Sequence, residues 1–94
     1  MAKRYLHIAF HWSDNDPRIA TIKPEFDNAL DWIRYAPNCW IVWTTSPPTK
    51  WYERLRPLIT DNDSLFIVEI DITKRQGWLS RSIWDWIKTE RQNS

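Results

Sequence analysis

Three side chains near the start of the chain, His11, Asp14 and Asp16, have the types and spacing to do chemistry. An imidazole beside two carboxylates suits zinc or nickel, or an acid–base pair working near neutral pH. The spacing matches neither a zinc helix pair nor a calcium loop, because no glycine and no later glutamate complete it. Asp14-Asn15-Asp16-Pro17 is also ordinary turn chemistry, in which Asp and Asn bond their own backbone and proline fixes its dihedral. His7 lies on the same strand face as His11, so a two-fold seam there would double both histidines and make association pH-sensitive. Asp61-Asn62-Asp63 forms a second acidic group and reads as a helix-to-strand turn. Ser13 and Ser46 have no positioned base, so serine catalysis has no support. His11, Asp14 and Asp16 stand as the catalytic candidates, and neither a metal nor a cofactor is expected outside a nuclease mechanism.

Eight tryptophans raise a second chemistry, the stacking of unpaired bases on rings flanked by cations. Lys50, Trp51, Arg54 and Arg56 form the best local group, and Lys74 and Arg75 with Trp78 and Arg81 the next. Glu53, Asp71 and Asp85 offset these charges, so each patch is modest. Trp32, Trp40, Trp43, Trp84 and Trp86 fall on patterned elements, where a large ring serves a core or an interface. Thirteen basic against twelve acidic residues leave a net charge of +1. That excludes binding of nucleic acid through the whole surface and leaves only a local patch. With a single glycine, no phosphate-cradling loop or dinucleotide fingerprint can be built. The lone Cys39 cannot form an internal disulfide, sits in an apolar run as a buried thiol, and fits a reducing cytoplasm. The apolar run after Met1-Ala2-Lys3-Arg4 is broken by His7 and is too short for a signal peptide or a membrane span, so a cytoplasmic protein is expected.

Positioning these residues requires one small core. At 94 residues and 43% hydrophobic the chain reads as a single domain, with a core over about 4–71 and a tail over 72–94. Tyr5 to His11 alternates, with Leu6, Ile8 and Phe10 on one face, and predicts a strand. A helix should open at Pro24 and share one face among Phe26, Ala29 and Leu30, since proline is tolerated in a first turn and nowhere deeper. Trp32–Ala36 and Cys39–Thr45 flank Pro37-Asn38 and predict a hairpin. A competing reading runs the helix on through Tyr35. Ser46-Pro47-Pro48 should cap a helix carrying Trp51, Leu55, Leu58 and Ile59, ended by Pro57. Ser64–Asp71 predicts a further strand, and Ser82 with Asp85 has the form of a capping box opening a last helix that buries Ile83, Trp84 and Ile87.

The order strand, helix, hairpin, helix, strand predicts an α+β, ferredoxin-like βαββαβ sandwich: an antiparallel sheet with two helices on one face, plus a C-terminal helical tail. The other sheet face should be bare, yet the central strands are apolar on both sides. Cys39, Ile41 and Trp43 oppose Trp40 and Val42, and Leu65 and Ile67 oppose Phe66, Val68 and Ile70. An uncovered apolar face of that size marks an interface. The expectation is a homodimer packed sheet against sheet, with His7, His11, Ile41, Trp43, Leu65 and Ile67 as interface candidates.

Phe10-His11-Trp12-Ser13-Asp14-Asn15-Asp16 resembles the strand-end block of the small CRISPR adaptation protein (the Cas-two family) and its VapD toxin relatives. A closer likeness, over roughly residues 4–87, is to the SinR-like branch of that superfamily. It rests on Trp32, Tyr35, Trp40-Ile41-Val42 and Thr44, on Leu55-Arg56-Pro57, and on Asn62-Asp63 followed by Leu65-Phe66-Ile67-Val68-Glu69. The resemblance implies a ferredoxin-like fold and a homodimer. In the nuclease members an aspartate ending the first strand of each subunit holds a divalent metal between the chains; here that position is His11, a poor ligand for magnesium. The expected function is a non-catalytic homodimeric binding module of a mobile-element, defence or toxin–antitoxin system, with nucleic acid or a larger protein as partner and no membrane. The alternatives are a Cas-two/VapD-like endoribonuclease and a structural protein-interaction subunit.

Overall fold

The computed structural model describes residues 2–15, 18–89 and 91. Strand β1 (Arg4–His11) is central, paired along one edge with the second strand of the hairpin and along the other with the strand that closes the sheet, and its alternation turns one face to the core. Leu6 and Ile8 are sealed from solvent and Phe10 nearly so, all on one face. β2 (Asp31–Ala36) and β3 (Cys39–Thr44) form the hairpin expected over Pro37-Asn38, which leaves no room for a helix through Tyr35. The Phe10 amide donates to the Asn38 carbonyl at 2.9 Å, and Trp12 Nε1 donates to Asn38 Oδ1 at 2.9 Å, tying this turn to the end of β1. β4 (Ser64–Ile70) completes an antiparallel sheet in the order β2-β3-β1-β4.

The helices depart from the sequence reading in informative ways. α1 (Ile19–Ile22) starts before Pro24 and passes into a 3-10 turn over Lys23–Asn28. Pro24 has no N–H to give to the carbonyl four residues back, so the α pattern stops there and the tighter turn takes over. Phe26 is buried, but Ala29 is already extended and Leu30 turns outward, 56% exposed; the common face expected for these three residues does not form. α2 (Pro48–Leu55) has Pro47, not Ser46, at its N-cap, and gives way to a 3-10 turn over Arg56–Leu58 where Pro57 was expected to end it. The Ser46 hydroxyl instead accepts a bond from Arg54 Nη2 at 3.4 Å. α3 (Arg81–Lys88) has Ser80 at its N-cap, one residue ahead of Arg81, and no side chain caps it, so the Ser82/Asp85 box is not made. None of the described helices is long and apolar enough to cross a membrane.

Two layers cover the sheet, one on each side. Trp51 and Leu55 of α2, with Ile22 and Phe26, close over Leu6, Ile8, Phe10, Trp40 and Val42. Phe26 stacks on Trp40 with centroids 4.7 Å apart and on Trp51 at 5.8 Å. On the opposite face α3 packs against the β2 side of the sheet. Trp86 meets the Tyr5 ring edge-on at 6.2 Å, and Tyr5 lies on Trp43 at 4.5 Å. Ile83 and Ile87 are buried there, as are Ile41 and Trp43. Arg91 finishes the corner, lying 3.8 Å over Trp86 and paired with Asp31 at 2.9 Å. The face expected to be bare is therefore half covered by the chain's own last helix. Burying these four apolar side chains within one chain gains the area term that the sequence reading assigned to a second copy.

Candidate functional site

β1 ends at His11, whose exposed side chain looks out beside Ser64 of β4. The loop that follows is built around Asp63, whose carboxylate is sealed from solvent. Its Oδ1 accepts from the Ser13 amide at 2.9 Å and the Ser13 hydroxyl at 3.0 Å, while Oδ2 accepts from the Thr60 amide at 2.9 Å and Arg18 Nη1 at 3.0 Å. The backbone N–H of Ser13, then that of Thr60, holds the carboxyl well below the usual carboxylate range. Arg18 also pairs with Asp14 at 3.1 Å. Asp63 thus locks the β1–α1 loop onto the α2–β4 turn, and Asp14 serves the same lock through Arg18. Asp16 lies outside the described residues. Among the described residues, no group of three or more His, Cys, Asp or Glu side chains comes together to hold a metal ion.

On the uncovered half of the sheet a different cluster forms. β2 carries an irregularity between Arg34 and Ala36, an extra residue that re-aims the strand. Arg34 falls over the Trp40 ring on the helix side, and Tyr35 points to the other face. There its hydroxyl shares a 2.5 Å hydrogen bond with His7 Nε2. Burial, then the bonded Cys39 thiol, pushes the phenol up to about 12, and burial lowers the imidazole. Both groups are therefore neutral near pH 7, a paired lining of the face with no charge to offer a substrate. This triad was missed in sequence because His7 and Tyr35 lie 28 residues apart and meet only once β1 and β2 are set on either side of β3.

The interface candidates do not share one surface. Leu65 and Ile67 pack against the α1/α2 core, Ile41 and Trp43 are buried on the α3 side, and His7 and His11 lie on that side but away from the covered corner. Among the described strand residues the large apolar side chain left exposed is Phe66 of β4, 62% accessible.

The two tryptophan–cation groups also separate. Trp51 is fully buried, its Nε1 donating to Thr44 Oγ1 at 3.2 Å and its ring lying under Arg54 at 5.1 Å. Lys50 pairs with Glu53 at 3.6 Å and Arg56 with Asp61, so this group is structural and presents no free ring. Trp78, by contrast, is 96% exposed on the irregular segment between β4 and α3, which also carries exposed Lys74 and Arg75, and an exposed Arg81 opens α3. The base of that segment is set by Asp71, which accepts bonds from the Thr73 amide at 2.9 Å and hydroxyl at 2.7 Å, and by Arg75 Nη1, which donates to the Ile72 carbonyl at 2.9 Å. The segment therefore presents an indole and two cations to solvent from an anchored turn, with Arg81 at the start of α3. Comparison with protein-family models, with curated proteins and with solved structures finds no match for this chain.

Proposed function

We propose that this chain is a non-catalytic, homodimeric binding module of ferredoxin-like class that takes unpaired nucleic-acid bases on the Trp78 arm. The observation that carries the reading is the exposure of Trp78 on a segment that also carries exposed Lys74 and Arg75, with exposed Arg81 three residues on. An indole left in water is a cost that a stacked base relieves, and each base–aromatic stack is worth about 1–3 kcal/mol. The cations answer the phosphates, and with a net charge of only +1 the affinity belongs to this arm and not to the surface at large.

Two further points support the reading. β1 and β3 are the central strands and α1 and α2 lie on one face, an arrangement that supports the ferredoxin-like class and, with it, the likeness to the SinR-like branch of the Cas-two/VapD superfamily. His11 stands where the resemblance has a metal-binding aspartate, and Asp14 is engaged by Arg18, which favours binding over cleavage; the mobile-element, defence or toxin–antitoxin setting is what the resemblance alone suggests.

The test is a fluorescence-anisotropy titration with labelled single-stranded RNA and DNA, run beside Trp78→Ala and a Lys74→Ala/Arg75→Ala pair. The expected result is binding that Trp78→Ala weakens by about tenfold, with a shallower salt slope in the double variant. Equal binding by all variants, or none by the parent, overturns the arm. RNA cleavage that His11→Ala abolishes replaces the binding module with an endoribonuclease; capture of neither nucleic acid with a stable dimer leaves a structural subunit.

A further inference from the structure

Among the described residues four side-chain nitrogens are sealed from solvent and bond nothing: the indoles of Trp40 and Trp86, Arg4 Nε and Arg54 Nη1. The two arginines are the costlier pair, because a charged donor without an acceptor forfeits more hydration than a neutral one. They also come to one corner. Arg4 opens β1 directly opposite Thr44 of β3, so both side chains project to the same face, the one that Leu6 and Ile8 turn to the α2 core. Thr44 Oγ1 accepts from Trp51 Nε1 at 3.2 Å and from the Ser46 amide at 3.0 Å. Arg54 lies over the ring of that Trp51 and donates from Nη2 to Ser46 Oγ at 3.4 Å. One guanidinium thus rises from the sheet and the other comes from the helix that covers it.

Neither is well neutralised. Among the described residues no carboxylate pairs with Arg54. Arg4 has only Glu69, from Nη1 to Oε1 at 3.4 Å, and the Glu69 side chain is 58% exposed, a long surface pair of the kind that contributes little. β4 ends at Ile70, opposite Tyr5, so the segment that carries Lys74, Arg75 and Trp78 leaves the sheet at this same end. We infer that Arg4 and Arg54 together hold a phosphate of the strand whose base stacks on Trp78. The donors select the anion. A carboxylate has two coplanar oxygens and fills one guanidinium fork, whereas a tetrahedral phosphate presents oxygens in more than one plane and takes both forks at once. Glu69 then gives up Arg4 to the incoming group, so this carboxylate opposes binding. The inference deepens the Trp78 reading and rests on it: the arm supplies the ring, and the corner supplies the phosphate contact that a net charge of +1 denies to the surface at large.

The test uses an oligothymidylate and an abasic strand of the same length, each 3′-labelled, with and without a 5′-phosphate, in salt titrations on the parent, Trp78→Ala, Arg54→Gln, Glu69→Gln and Asp27→Asn. Arg54→Gln is expected to keep its circular dichroism, to weaken both strands by about tenfold, and to flatten the slope of log K against log salt by about 0.7, one phosphate of a single strand. Trp78→Ala should weaken the oligothymidylate alone, since an abasic strand has nothing to stack. Glu69→Gln should tighten both strands, a gain that damage to the fold does not produce, while Asp27→Asn, an equal change of charge on the 3-10 turn after α1, should not. The Nε–Hε resonances of Arg4 and Arg54 should move as the abasic strand is added. An effect confined to 5′-phosphorylated strands assigns the corner to a strand end, and an effect on all of them to an internal diester. Arginine resonances that the abasic strand leaves in place, or Glu69→Gln and Asp27→Asn behaving alike, overturn the corner, and a loss in Trp78→Ala then keeps the stacking reading. Dependence on Arg54 with none on Trp78 does the reverse. Resonances that move with inorganic phosphate and with neither strand overturn the strand as occupant.

Discussion

His7 and Tyr35 show how strand pairing sets the state of a titratable group. Both stand on the same face of the sheet, where the Tyr35 hydroxyl bonds the imidazole and burial depresses its pKa from the usual 6.5. A base whose folded pKa is depressed takes its proton later than it does in the unfolded chain. Its contribution to stability is therefore complete above about pH 6.5 and is lost as pH falls below that value towards the folded one. The His7 C2–H resonance is expected to titrate below 6.5, and the stability of the parent to decline as pH falls through and below 6.5 with a slope that His7→Gln reduces. A midpoint at or above 6.5 would refute the assignment. Asp63 works in the same direction at lower pH, since amide bonds hold its carboxyl below the usual range. The residue types of this loop were legible as turn formers; that Asp63, and not Asp14, is its hub depends on Arg18 and Ser13 arriving from another part of the chain.

At the scale of elements, α2 shows how a strand end positions a helix. Thr44 closes β3 with its hydroxyl buried, accepting bonds from Trp51 Nε1 at 3.2 Å and from the Ser46 amide at 3.0 Å. Thr44→Val keeps the shape and strands both donors in the core. The expected cost is about 1–3 kcal/mol, because an unpaired buried polar group forfeits its hydration without compensation. It should appear as a lower urea midpoint at unchanged slope, and an unchanged midpoint would show that water reaches these donors. The strands were the most legible elements: alternation located β1, the hairpin and β4 to within a residue or so, because a period of two with turn formers at the ends is a local signal. Helix starts were not, since each proline satisfies two geometries and neighbours choose between them. Pro24 falls just inside a 3-10 turn instead of opening a helix, and Pro47 takes the cap expected of Ser46.

The whole molecule is decided by where α3 docks. Ile87→Ala should cost about 2–5 kcal/mol, as deletion of a buried branched side chain does. It should also raise dye binding and speed amide exchange in β2 and β3 as Ile41 and Trp43 become accessible; protection unchanged in these strands would mean that α3 is not what covers them. By itself the sequence determined the α+β composition, the four strands and their turns, because propensity, alternation and turn chemistry act over a few residues. It also showed that β3 and β4 are apolar on both faces, but it took β4 for a central strand, and the sheet order puts it at an edge. Only the tertiary structure decided what meets those faces: an own helix over Ile41 and Trp43, a buried Trp51 and an open Trp78. The hydrophobic effect is non-directional, so an amphipathic helix reads the same whether it lies on its own sheet or on another. The docked chain, not its pattern, chooses the partner.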